Sequence, residues 1–181
     1  MEKVKLKAPI LKKEVIKIFK KYGLSQDHAK ISANALINAE LVGAFGHGIS
    51  RLKMYCDRIS KKVINPKPKI KIKKISQSIS HIDADNSIGF VAADIAIKKA
   101  ISNAKKTGIG LVAVRNSGHY GLSGYYAEQA VKKNLVTMIY TTVHQLWLHM
   151  VLLKVFLVLI QFVSELPVAQ KYLLFLTHQS Q

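Results

Sequence analysis

The chain has 181 residues, with 28 lysines and arginines against 10 aspartates and glutamates and a formal net charge of +18. That length allows one ordinary domain, or a small helical unit beside a larger one, and an apolar fraction of 49% excludes an intrinsically disordered chain. The single cysteine, Cys56, excludes an internal disulfide framework and fits a reducing compartment.

The start, MEKVKLKAPILKKEV, has no apolar run of signal-peptide length, so a cytoplasmic location is expected. Arginine, which makes bidentate contacts to phosphate and guanine, occurs only as Arg51, Arg58 and Arg115. The lysines alternate with isoleucine or fall on outer helix faces, as on a solvated surface. No nucleic-acid partner is therefore expected; a basic nucleic-acid-binding module is the alternative of a different class.

Pro9 to Tyr22 is predicted to be a helix, with Leu11, Val15, Ile18, Phe19 and Tyr22 on one apolar stripe and Gly23 as the stop. Ser25 can cap a second, alanine-rich helix closing near Gly43. Ser50 can cap a third, running to about Ile59. NPKPK is a linker, because two close prolines break both helix and sheet. Beyond it, IKIKKIS alternates like an edge strand and SISHIDAD like a second strand ending in a turn. IGFVAADIAIKKAISNAKK is an amphipathic helix, with Val91, Ile95 and Ile101 on one side and an Asp94–Lys98 pair on the other. GIGLVAV then reads as a strand, YYAEQAVKK as a helix and LVTMIYTT as a strand. That alternation predicts an α/β layer after an N-terminal helical unit.

Two segments carry candidate chemistry. In GHGISRLKMY, His47 lies between two glycines at a bend, and Arg51 and Tyr55 share one helix face. An arginine there can clamp a carboxylate with two parallel hydrogen bonds, and a histidine can exchange a proton with a neighbouring oxygen. A capping histidine beside a surface arginine is the plainer reading. In NSGHYGLSGYY, His119 follows an apolar strand, at the end where α/β sheets bind ligands. Its glycines at 118, 121 and 124 are not spaced as G-x-G-x-x-G. No histidine shows metal-ligand spacing, so no metal is expected. Cys56, next to Tyr55, reads as inert packing.

These two segments resemble the malate/L-lactate dehydrogenase family that is distinct from the Rossmann-type lactate dehydrogenases. GHGISRL keeps the His, Gly and Arg of the family's Ser-His-Gly-x-x-Arg pattern, with Gly46 in place of the serine, and NSGHYGLSGYY follows its Asn-Ser-x-His-Phe/Tyr-Gly-x-x-Gly-Tyr-Tyr. The resemblance covers about residues 1–142. It implies NAD- or NADP-dependent interconversion of a small 2-hydroxy acid and its 2-oxo acid, in an enzyme that is usually a homodimer. On that resemblance Arg51 holds the substrate carboxylate and Tyr55 assists. His47 and His119 are both candidates for the exchanged proton, and His119, Tyr120, Gly121 and Thr141 lie against the cofactor. The implied domains are a helical domain at 1–64 and a partial NAD(P)-binding α/β domain of the non-Rossmann type at 69–142.

After Thr142 the resemblance stops. The family's Phe-Gly-Thr-Asn-Pro-Ile is absent, yet Phe156-Leu-Val-Leu-Ile-Gln-Phe can be encoded by bases that, read one frame over, give those residues. Residues 143–181 are therefore expected to be an aberrant, frameshifted tail that leaves an inactive fragment. The competing reading is an apolar membrane segment, interrupted by His149 and Lys154.

Overall fold

A computed structural model describes residues 6–141 of the chain. Helix α1 (Ala8–Lys21) starts on Pro9, whose fixed φ suits a first turn, and ends on Lys20 and Lys21, which complement the helix dipole. Val15 and Phe19 of its stripe are buried. Helix α2 (Gln26–Leu41) begins as expected, with the Ser25 side chain accepting from the His28 N–H. Its buried residues, Ala29, Ser32, Ala33, Ala35, Leu36, Ile37 and Ala39, are mostly small and cover a broad face, so neighbouring elements can approach closely.

The third helix departs from expectation at its start. Two short 3₁₀ turns, Phe45–His47 and Ile49–Arg51, precede α3 (Leu52–Ser60), and Ser50 does not cap it. The Ser50 hydroxyl instead donates to the Phe45 carbonyl at 2.6 Å, inside the bend. Gly48, at φ −94° and ψ −141°, leaves the helical path and re-aims the chain between the two turns.

The linker is anchored by hydrogen bonds. Asn65 Nδ2 and the Lys69 N–H both donate to Asp85 Oδ2, at 3.0 and 2.9 Å, and the Asn65 N–H donates to the Asn86 carbonyl at 2.9 Å. Strand β1 (Lys71–Lys74) is exposed throughout and pairs antiparallel with β2 (Ile79–Ser87). Helix α4 (Gly89–Thr107) then crosses to β3 (Leu111–Ser117), which runs parallel to β2. The result is an open, mixed three-stranded sheet in the order β1-β2-β3, flanked by helices. Ser80, Ile82 and Ala84 of β2 are buried at the alternation expected of a strand with one covered face. The predicted Asp94–Lys98 pair forms at 2.7 Å, but Asp94 is buried while Lys98 is exposed.

Helices α1 to α4 share one core, in which Val15, Phe19, Leu36, Tyr55, Ile59, Phe90 and Val91 belong to a single cluster with Ile88, which joins β2 to α4. This core lies in a first compact unit that reaches Tyr126. Helix α5 (Ser123–Val131) continues into a second unit, which begins at Ala127. There the helix ends in a turn with Asn134 at φ 58°, a left-handed position that asparagine tolerates. The predicted strand LVTMIYTT forms no strand among the described residues, although burial still alternates from Leu135 to Thr141. The expected aberrant tail and the competing membrane segment both lie outside the described residues. Among the described residues no helix is long and apolar enough to cross a membrane.

Candidate active site

The bend between α2 and α3 is held from behind by Glu40. Its carboxylate accepts the Ile49 N–H at 2.6 Å and fills the space where a side chain on Gly48 would begin, so a side chain at 48 would have to displace it. His47 is half-buried at the end of the first 3₁₀ turn. Arg51 is exposed; its Nε donates to the Gly46 carbonyl at 2.8 Å and its Nη1 to Met54 Sδ at 3.9 Å. Tyr55, one turn on, is fully buried.

The second wall is the loop after β3. Asp83 on β2 ties down its start, accepting from Arg115 Nε at 3.2 Å, Arg115 Nη2 at 2.9 Å and Asn116 Nδ2 at 2.9 Å. The Asn116 hydrogen bond, with that of the Asp85 N–H and the Arg115 charge, holds the Asp83 carboxyl below the usual carboxylate range. Asn116 adopts φ 52°, and the chain turns there into Ser117-Gly118-His119. Further on, the Tyr120 hydroxyl lies 3.2 Å from Ser123 Oγ, the Tyr126 hydroxyl donates to the Tyr120 carbonyl at 2.8 Å, and Gly121 adopts φ 81°.

The two walls meet at His119. The Tyr55 hydroxyl is 2.7 Å from His119 Nδ1, across 64 residues of sequence. The Gly121 N–H donates to the same nitrogen at 3.3 Å. A backbone N–H can only donate, so in this arrangement Nδ1 accepts, the tyrosine donates to it, and the neutral ring carries its hydrogen on Nε2. The His47 ring stacks on that of His119 at 5.9 Å with an interplanar angle of 21°. Burial pushes the Tyr55 phenol up despite the opposing Arg51 and Arg58 charges, so the phenol keeps its proton. Burial of its ring lowers the His119 pKa below the ordinary imidazole value, reinforced by His47, Arg51 and Arg58, although the residue as a whole is exposed.

Of the seven residues singled out in the sequence, His47, Arg51, Tyr55, His119, Tyr120 and Gly121 thus converge at one place. Thr141 is the last described residue and belongs to the second unit. Nothing local in the sequence marks Glu40 or Asp83, because the groups they hold lie 9 and 32–33 residues away, and Asn116 opens its motif without any local sign that it bonds Asp83. Gly89 and Phe90 were read only as a helix start. Their signal is a glycine at the first position of a helix, two residues past a strand, where no turn demands one. Among the described residues no group of histidines, cysteines and carboxylates could hold a metal ion.

Residues 6–151 match the malate/L-lactate dehydrogenase family. The chain is 41% identical over 125 residues to L-sulfolactate dehydrogenase of Methanocaldococcus jannaschii, covering 69% of this chain and 36% of that protein. It is 45% identical over 122 residues to malate dehydrogenase of Pyrococcus abyssi, covering 67% and 34%. Ureidoglycolate dehydrogenase (NAD(+)) of Escherichia coli K12 is 32% identical over 114 residues, covering 63% and 33%. Among solved structures, malate dehydrogenase from Pyrococcus horikoshii superposes with a TM-score of 0.73 at 36% identity, over 77% of this chain and 40% of that one. The chain belongs to the malate/L-lactate dehydrogenase family, with its non-Rossmann α/β fold. It spans about a third of the length of these curated relatives.

Proposed function

We propose that this chain carries the substrate-binding half of an NAD(P)-dependent dehydrogenase that interconverts a small 2-hydroxy acid and its 2-oxo acid. The observation that carries the reading is the 2.7 Å bond between Tyr55 on α3 and His119 in the loop after β3, with the His47 ring stacked beside it and Arg51 close by. Arg51, its Nε already engaged, offers its terminal nitrogens to the substrate carboxylate as a fork. His119 then presents Nε2 to the adjacent oxygen. In reduction the imidazolium gives that oxygen its proton, and the lowered pKa makes it a readier donor. In oxidation Nε2 must be bare, so Nδ1 takes the hydrogen and the Tyr55 oxygen accepts it. That same Nδ1–H tautomer is what the imidazolium leaves behind in reduction, so the Tyr55 oxygen serves as its acceptor in both directions.

The loop also suits a dinucleotide. Gly121 is side-chain-free at φ 81° beside His119, at the carboxyl end of a parallel strand. His119, Tyr120 and Gly121 would hold the nicotinamide end, which supplies or takes the hydride. The name of the E. coli relative supports a nicotinamide cofactor. The neighbouring names, malate and sulfolactate, support an acid with a second anionic group. A homodimer and a cytoplasmic location belong to the same proposal.

A chimera tests it. Residues 6–126 of this chain replace the matching segment of the P. abyssi malate dehydrogenase, and the product is assayed with NADH and NADPH against oxaloacetate, pyruvate and sulfopyruvate. Turnover that His119→Ala abolishes is expected. A folded chimera inert toward all three acids would sink the proposal.

A further inference from the structure

The bond between Tyr55 and His119 joins α3 to the loop after β3. Both lie against the first residues of α4. Gly89, the first residue of α4, is buried, and a side chain there would overlap the carbonyl oxygens of Gly118 and His119. The backbone bearing His119 thus rests directly on the start of the helix, in the space that only a glycine leaves open. Phe90, the next residue, is fully buried. Its ring packs on Tyr55 at 4.8 Å between centroids, and its Cε1 lies 2.7 Å from where a side chain on Gly121 would begin. One dipeptide therefore touches the tyrosine, the glycine whose N–H reaches Nδ1, and the backbone of His119 itself.

We infer that Gly89 and Phe90 are positioning residues for His119: the missing side chain of Gly89 seats the Gly118–His119 backbone, and the Phe90 ring spaces Tyr55 from Gly121 so that both donors reach Nδ1. Neither residue needs to touch substrate. An alanine at 89 lifts the loop by contact with backbone carbonyls, which cannot swing aside as the end of a flexible side chain would. Nδ1 then moves away from the Tyr55 hydroxyl and the ring is free to take either tautomer. A leucine at 90 keeps an apolar filling but removes the flat surface between Tyr55 and Gly121. The inference rests on the proposed function for its meaning in catalysis, but the geometry it describes can be read without any turnover.

The experiment uses the full chain, labelled with ¹⁵N, with the His119 ring signals assigned through His119→Gln. The wild type should show a bare Nδ1 and a protonated Nε2, with a titration midpoint below the ordinary imidazole value of about 6.5. His47, Tyr55, Tyr120, Arg51 and Arg58 are the polar and charged groups that face this ring or lower its pKa, and all remain in both variants. Gly89→Ala and Phe90→Leu should each give mixed tautomers and raise the midpoint toward about 6.5, while the His28 and His81 signals stay in place. Gly108→Ala, at the other end of α4, should leave His119 as in the wild type. If Gly89→Ala fails to fold, Phe90→Leu decides alone. A His119 signal unchanged in the folded variants overturns the inference, as does a wild-type ring already mixed between tautomers. An inactive chimera with a locked His119 would count against the proposed function alone. An active chimera with a His119 indifferent to both substitutions would count against this inference alone.

Discussion

Arg51 shows how one side chain divides its work. Its Nε is spent on the Gly46 carbonyl, and a lysine could supply the charge but neither that anchor nor two parallel donors. In the chimera, Arg51→Lys should lower kcat/KM by about 2–4 kcal/mol, the range for loss of a charged hydrogen bond in a dry site; steady-state kinetics with oxaloacetate would reveal equal activity if the carboxylate clamp lay elsewhere. His119 also links stability to pH. Burial holds its folded-state pKa below the ordinary value, so between those two values the unfolded chain binds more protons. The same holds for His28, where burial outweighs the Asp27 charge. Stability is therefore full above about pH 6.5 and falls as pH drops toward the folded-state values. Urea midpoints at about pH 7.5 and about pH 5 should show this decline, and His119→Gln should flatten it. A wild-type midpoint constant across that range would contradict it.

At the level of elements, one carboxylate ties the bend from Leu41 to Leu52 back to α2. Glu40 answers the Ile49 N–H and occupies the space that Gly48 leaves open. Glu40→Ala should cost about 1–3 kcal/mol in chemical denaturation, the range for stranding a partly buried donor. Gly48→Ala should also destabilise, because its new methyl meets that carboxylate, and the double variant should be less destabilised than the sum of the two. Strict additivity would mean that the two residues act independently. Helix α1 depends on its stripe: Phe19 is fully buried in the shared core, so Phe19→Ala should cost about 3–5 kcal/mol. The same helices were legible in the sequence because an apolar stripe and a serine cap are local signals. The start of α3 was not, because the Ser50 hydroxyl found the Phe45 carbonyl instead of a helix N–H.

For the whole molecule, the chain's share of its relatives decides what it can do alone. It spans about a third of their length. Near-attack geometry between nicotinamide and carbonyl is worth roughly 7–11 kcal/mol of barrier in favourable cases, and needs both reactants held. The 181-residue chain should therefore show no turnover with NADH or NADPH and any of the three acids. Turnover abolished by His119→Ala would overturn that expectation. The frameshift proposal is separate, and sequencing the DNA around codon 142 tests it. A single-base insertion there should restore Phe-Gly-Thr-Asn-Pro-Ile; an alternative frame without that stretch rejects it.

Periodicity, caps and two short motifs carried the order of the helices and of the first three strands, the α/β class and the six residues that converge, because each of these signals is complete within about ten residues of chain. The tautomer of His119, the burial of Asp94 beneath its ion pair, and the parts played by Glu40, Asp83, Gly89 and Phe90 could not be read that way. Each depends on an atom contributed by another element: a phenol from 64 residues away, a carboxylate across the sheet, a backbone carbonyl resting where a glycine has no side chain. Local sequence limits what a segment can become. Only packing decides which distant polar atom it must satisfy, and that choice sets the charge, tautomer and reach of the groups in the site.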